Sequence, residues 1–539
     1  MDHFIASRLR RTSKSVAVFC ALAVALSLSA FGQNQVVLEV IDPETGNPVP
    51  ARLDFTKSGK KLSRDRKTLG VGESWLAEGT VTLQPAPGDY EFLARRGPEF
   101  NSIRGGFTIE RGSRDTVAIE IPRSISMHEE GWYSGDLSAE VDANSLARWQ
   151  LADALDMVVQ TTLSSKNKGV PEPAASKVTK QKDAPKWGGP EEVGYRWSNR
   201  SIEYRSPHVG LALHRTTEST EDPFEALEAI EGDAMAMAEV TQLLAADLPL
   251  WLAHPKVRCA RLLGLANRDK GDALLALGRG DDSTEFGKLL IELGKDRWSI
   301  PVLAPFPAKD RIRFRGPRGA GMLSEAIYWQ ALEAGLRLTP TAASGFGGSD
   351  TFLGYNRVYA YLDSEPSHDA WWEALVKGEV FVTNGPLLRV MVNGVPPGTV
   401  QASYRNEPIP LDIAVSLAVR DPVDYLDVIF NGETLYNAKL EDHYRKGEFP
   451  PLQIDRSGWL VVRVVTSHEA GYRVATTAPF YFAFDGNKRI SKKAVAFFRE
   501  WLDRTEKVTE GSVMTESRSR AIERARAFWS ELDQQSNAP

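Results

Sequence analysis

Residues 322–339 read Met322-Leu323-Ser324-Glu325-Ala326-Ile327-Tyr328-Trp329-Gln330-Ala331-Leu332-Glu333-Ala334-Gly335-Leu336-Arg337-Leu338-Thr339. The stretch predicts a helix over 322–334, a left-handed stop at Gly335, and a short apolar strand. The same alternation surrounds it. Leu146, Trp149, Ala152 and Leu155 have helical spacing, and Met157-Val158-Val159 follows as a strand. Phe224 to Leu244 is Ala- and Met-rich and reads as helical, and Leu248 to Ala253 reads as a short apolar strand. Trp371 to Lys377 predicts a helix ended by Gly378, with Val380-Phe381-Val382 beyond it. Helix alternating with short buried strand implies parallel βα units. A distorted β/α barrel over residues 131–390 is the expected arrangement. Two insertions interrupt it, near 166–190 and 269–318.

Outward from that region the chain turns to β-structure. Val36 to Ile41 predicts a strand, and Asp42 to Pro48 carries turn residues. Pro87-Gly88-Asp89 leads into Tyr90-Glu91-Phe92-Leu93-Ala94, and Val117, Ile119 and Ile121 alternate. Residues 36–122 are therefore expected to form a small β-sandwich, similar to a carboxypeptidase-regulatory domain. Leu411–Val419, Tyr425–Phe430, Trp459–Val465 and Pro479–Phe484 suggest a second sandwich over 391–485. Residues 491–533 predict a helical hairpin. Its apolar positions are Ala494, Phe497, Phe498 and Trp501, then Ala521, Ala525, Phe528, Trp529 and Leu532. The expected fold class is thus multidomain α/β plus β.

The N-terminus points to export. Arg8, Arg10, Arg11 and Lys14 precede a nearly uncharged run from Val16 to Phe31, and the small residues Ala30 and Gly32 stand at the −3 and −1 positions of a cut before Gln33. That is the layout of a signal peptide over residues 1–32. Its apolar run is shorter than the ~20 residues of a membrane span. The destination is periplasmic or extracellular, with no membrane span after signal removal. Removing the signal takes four Lys/Arg from 65 and one Asp from 71, leaving a formal charge of −9. Such a surface disfavours nucleic acid, which needs a basic face. Cys259 is the only cysteine left, so no intramolecular disulfide is available. With 42% hydrophobic residues, the chain must rely on buried cores.

Several stretches resemble the CehA/McbA family of PHP-type metallohydrolases, in its large secreted bacterial form. They are Gly131-Trp132-Tyr133-Ser134-Gly135-Asp136-Leu137, then Gly354-Tyr355-Asn356-Arg357-Val358-Tyr359, then Trp371-Trp372-Glu373-Ala374-Leu375. Phe381-Val382-Thr383-Asn384-Gly385-Pro386, Asn393-Gly394 and Arg96-Gly97-Pro98-Glu99-Phe100 complete the set. The resemblance spans roughly residues 36–485. It implies a PHP-like distorted β/α barrel and metal-dependent hydrolysis of esters, carbamates or phosphoesters. In such chemistry His and carboxylate ligands hold divalent metals (Mn, Zn, Fe or Mg) that activate water.

The chain departs from the family at the decisive place. The family's His-x-His follows Gly-Asp-Leu, but here Ser138-Ala139-Glu140 does. A Ser hydroxyl is a poor ligand where a neutral imidazole is a good one. Glu140 remains a hard oxygen donor, flanked by Asp136 and Asp142. The remaining candidates implied by the resemblance are His208, His254 and Asp350, although Thr351-Phe352 stands where a terminal His is expected. Each has a plain structural alternative: a loop or surface histidine, and a turn-forming aspartate. Tyr355, Asn356, Arg357, Thr383 and Asn384 are candidate cleft residues for a small-molecule or glycan ligand. Their alternative is loop architecture, since Asn384-Gly385-Pro386 forms turns in any fold. Two functional readings follow. One is a degenerate, non-catalytic family member acting as a binding or structural module. The other is an active hydrolase with rearranged ligands. No nucleophile elbow or phosphate loop appears.

Overall fold

The computed structural model describes residues 34–62, 70–71, 74–164, 196–205, 209–216, 220–240, 246–264, 304–348, 351–404, 407–447, 449–469, 471–508 and 515–539. Both expected insertions fall largely outside these residues, as do His208, Asp350 and the expected signal segment. The chain is rich in sheet and divides into two compact units.

The first unit comprises residues up to 96 together with 100–123. Ile103–Ile109, Gly88–Arg95, Pro50–Lys57 and Ser74–Glu78 form one antiparallel ladder. Thr80–Leu83, Gln35–Ile41 and Arg114–Glu120 form another, its last pair parallel. A single pairing, Glu78↔Thr80, joins the two. Alternation decides the faces: Val36, Leu38 and Val40 are buried while Glu39 between them is exposed. Phe55 and Trp75 meet edge to face at 5.3 Å within this core.

The second unit holds the alternating region, and its strands and helices are numbered from its start. They are β1 (Trp132–Ala139), α1 (Ala143–Ala152), β2 (Met157–Leu163), β3 (Trp197–Arg205) and β4 (Gly210–His214). Next come α2 (Pro223–Ala229), β5 (Met235–Glu239), α3 (Leu248–Leu252), β6 (Val257–Leu263), α4 (Gly319–Glu333) and β7 (Thr339–Ala342). β8 (Arg357–Tyr361), α5 (His368–Lys377) and β9 (Val380–Thr383) follow. Strands β1 to β7 pair in sequence order, with β4 antiparallel to its neighbours and the other pairs parallel. The chain beyond β7 then returns to β1 through a parallel bridge, Ala139↔Phe346. The Glu140 N–H donates to the Phe346 carbonyl at 2.6 Å, and the Gly345 N–H donates to the Ser138 carbonyl at 3.1 Å. Both ends of the seven-strand path therefore lie side by side. On the other side of β1 the sheet runs through β8 and β9 into Val474–Thr477, Gly458–Thr466 and Val423–Phe430. It crosses residue 390 unbroken.

Two expected elements change type. Leu248–Ala253 is a helical turn, α3, not a strand. All its residues are buried, so the sequence carries no periodicity to tell helix from strand. Phe224–Leu244 is not one helix. α2 ends at Ala229, Gly232 takes a left-handed φ of 60°, and Met235–Glu239 is a fully buried strand. Two helices close the chain, α6 (Lys492–Val508) and α7 (Glu516–Gln534). Phe498 stacks on Trp529 at 4.7 Å between them.

Candidate functional site

The parallel strands direct their C-terminal ends to one end of the sheet, here termed the mouth, and α/β sheets bind ligands outside the carboxyl ends of their strands. At the end of β1 the register shifts between Asp136 and Ala139. Asp136 is fully buried. Its Oδ1 accepts the Ser138 N–H at 3.2 Å and the Ser344 N–H at 2.9 Å, and Oδ2 accepts the Gly354 N–H at 2.7 Å. Burial pushes this carboxyl upward, and those hydrogen bonds oppose it. Asp136 is thereby a clamp holding three chain segments together.

Ser138 and Glu140 do not face an open site. Arg205, from the end of β3, donates through Nη1 to Glu140 Oε1 at 2.5 Å and through Nη2 to Ser138 Oγ at 3.1 Å. Thr161 Oγ1 donates to the same serine at 3.1 Å. Arg205 also pairs through Nε with Glu203 Oε2 at 2.7 Å. From β6, Arg261 grips Glu203 with both terminal nitrogens, at 2.8 Å and 3.2 Å, and reaches Glu239 at 3.5 Å. Bidentate guanidinium–carboxylate pairing is the strong form of such contacts. Burial alone would raise the Glu203 carboxyl, but the Arg205 and Arg261 guanidiniums outweigh it and hold it far below the usual range. The residues facing Glu203 and Arg205 across the ladder are Ala212 and Gly210, small enough to leave room for the two long side chains. About 10 Å³ of free space remains among Glu203, Arg205, Met237, Glu239 and Arg261, room for one water.

Of the other expected carboxylate and histidine ligands, the described ones, His254 and Asp142, lie elsewhere. His254 lies between α3 and β6, before the N-terminal end of its strand and so at the end of the sheet opposite the mouth. Its Nε2 faces Glu228 Oε1 at 3.4 Å, and its Nδ1 accepts the Lys256 N–H at 3.2 Å. Asp142 caps α1, accepting the Asn144 and Ser145 N–H groups. Among the described residues no three His, Cys, Asp or Glu side chains are grouped to hold a metal ion. The described carboxylates at the mouth are engaged by guanidinium and backbone N–H groups, so among the described residues the side chains do not fit the divalent centre that the resemblance implies.

The expected cleft residues are tied into the frame. Arg357, almost wholly buried, donates to the carbonyls of Gly354, Asp153 and Ala154. Asn356 donates to the Gly264 and Ala343 carbonyls. Thr383 Oγ1 bonds the Pro386 carbonyl, and Asn384 bridges to Tyr472 and Val474. Tyr355 is buried with its ring edge against Phe352. The residues that sequence reasoning missed are Glu203, Arg205, Glu239 and Arg261. A signal existed for Glu239, the terminal charge of the otherwise apolar Met235–Glu239, but not for the others, whose strands carry further polar or charged residues.

No family model and no curated protein matches the chain. Among solved structures, the N-terminal four Ig domains of Dscam1 isoform 8.4 align at 9% identity over 84% of this chain and 100% of that chain. The TM-score is 0.13, too low to bear on the fold. Among the described residues no helix is long and apolar enough to cross a membrane.

Proposed function

We propose that this is an exported CehA/McbA-like protein with a degenerate PHP-type barrel, acting as a binding or structural module rather than as a metallohydrolase. One observation carries the reading. Arg205 and Arg261 hold Glu140 and Glu203 and reach Glu239, so guanidiniums supply the positive charge that divalent ions would bring to the mouth. The in-order pairing of β1 to β7, with the Ala139↔Phe346 bridge, supports the PHP-like barrel. A small-molecule or glycan ligand would engage a surface other than the ion-paired cluster, where the cavity among Glu203, Arg205 and Arg261 measures about 10 Å³.

The test is metal content by elemental analysis after incubation with Mn²⁺, Zn²⁺, Fe²⁺ and Mg²⁺, beside an ester and phosphoester hydrolysis screen. The expected result is well below one divalent ion per folded chain and no turnover. Stoichiometric metal that Glu140→Ala abolishes, with metal-dependent turnover, would overturn the reading in favour of an active hydrolase with rearranged ligands.

A further inference from the structure

Beneath the ion pairs lies a second cluster that they do not use. Cys259 on β6 and Met235 on β5 are buried, and their sulfurs touch at 3.4 Å. Met235 is the direct partner of His214 across the antiparallel β4–β5 ladder. Directly opposed residues present their side chains on the same face. His214 is fully buried, and neither ring nitrogen has a hydrogen-bond partner among the described residues. Leaving a buried polar group unpaired is costly, so an orphaned imidazole calls for an explanation. Strand register thus puts one imidazole on the same face as the thioether and thiol, the imidazole packed beside the Trp372 ring at 5.7 Å.

We propose that His214, Met235 and Cys259 form a binding site for one monovalent soft cation, Cu(I). Thiolate and thioether donors select Cu(I), and imidazole suits copper as well. Charge favours the monovalent ion. When Cu(I) binds, the Cys259 S–H bond breaks, its proton leaves to solvent and a Cu–S bond forms. The thiolate and Cu⁺ cancel, so the dry core gains no net charge. A divalent ion would add one positive charge beside Arg261, whose field already acts on His214 with only Glu203 opposing it. Burial brings the imidazole down to about 3, which keeps it neutral and its lone pair free. Burial also pushes the thiol up to about 12, so it stays protonated until a cation replaces the proton.

The experiment refolds the protein anaerobically with Cu(I), then titrates bound copper against a chromophoric Cu(I) chelator. The expected result is one Cu(I) per chain with thiolate-to-copper charge-transfer absorption. Cys259→Ser abolishes that absorption and the binding. Met235→Leu, which conserves volume, and His214→Asn each weaken binding at least about tenfold, the lower end of what even an outer partner contributes. Binding that Met235→Leu leaves unchanged would reduce the site to a lone thiol and overturn the proposal. So would the absence of stoichiometric copper in the folded wild-type protein. Should His214→Asn fail to fold, the Met235→Leu result decides.

Discussion

Glu203 and Arg261 carry opposite charges deep in the fold, and each is tolerable because it is paired, Glu203 with Arg261 and Arg205, Arg261 with Glu203 and Glu239. Breaking such a pair from one side leaves a buried charge uncompensated, at a cost of about 3–5 kcal/mol. Arg261→Met is therefore expected to lower the unfolding free energy by up to that amount, read as a lower urea midpoint with an unchanged slope. The pH dependence follows from the same pair. Glu203 titrates lower in the folded protein than in the unfolded chain. Its stabilisation is complete above the unfolded value of about 4.3 and is lost as pH falls below that, toward the folded value. Glu203→Gln should flatten the acid limb of the stability–pH profile, and a limb as steep as wild type would show that Glu203 is not held this way. At this scale the sequence was only partly legible. Ser138 and Glu140 were readable as candidate site residues at a strand end. Their engagement by Arg205, 65 residues away from Glu140, was not. Nothing local links a strand-end arginine to a distant glutamate.

The Gly-rich loop after β7 shows what an element contributes beyond its residues. Gly347 has a φ of 88°, and a Cβ on Gly348 would lie 2.1 Å from Glu140 Oε1. The loop lies directly on the carboxylate that Arg205 holds. Gly348→Ala must displace Glu140 from Arg205, an overpacking cost of about 1–3 kcal/mol. In a Glu140→Ala background the same change should cost little. A double-mutant cycle by denaturant unfolding should find the two positions coupled, and strict additivity would refute the contact. In the sequence this glycine cluster read only as a loop. Helices with caps were more legible: α5 ends at Gly378 with φ 84°, where the sequence placed its stop. Met235–Glu239 was misread because its residues are buried on both faces and show no alternation of polarity.

Across the whole second unit, one sheet runs from β7 through β1 and β9 into the C-terminal β-region. α6 and α7 seal one side of that unit. Trp501 and Trp529 are fully buried, and the Trp529 indole donates to the Pro249 carbonyl at 3.0 Å. Arg518 meets the buried Asp247 at 2.7 Å, and Thr505 donates to the Ala246 carbonyl at 2.8 Å. Truncation after residue 490 should uncover this apolar face and orphan Asp247. The expected outcome is aggregation or strong binding of a hydrophobic dye, and a soluble, dye-silent truncation would contradict it. The sheet-rich, multi-unit character was legible from strand spacing and turn residues. The continuity of the sheet past residue 390 was not, because hydrogen bonds between distant strands leave no local mark. A guanidinium belongs to the chain that it stabilises. The ion pairs at the mouth cannot be chelated, diluted or starved away, so the arrangement around Glu203 holds whatever metal ions its surroundings supply or withhold.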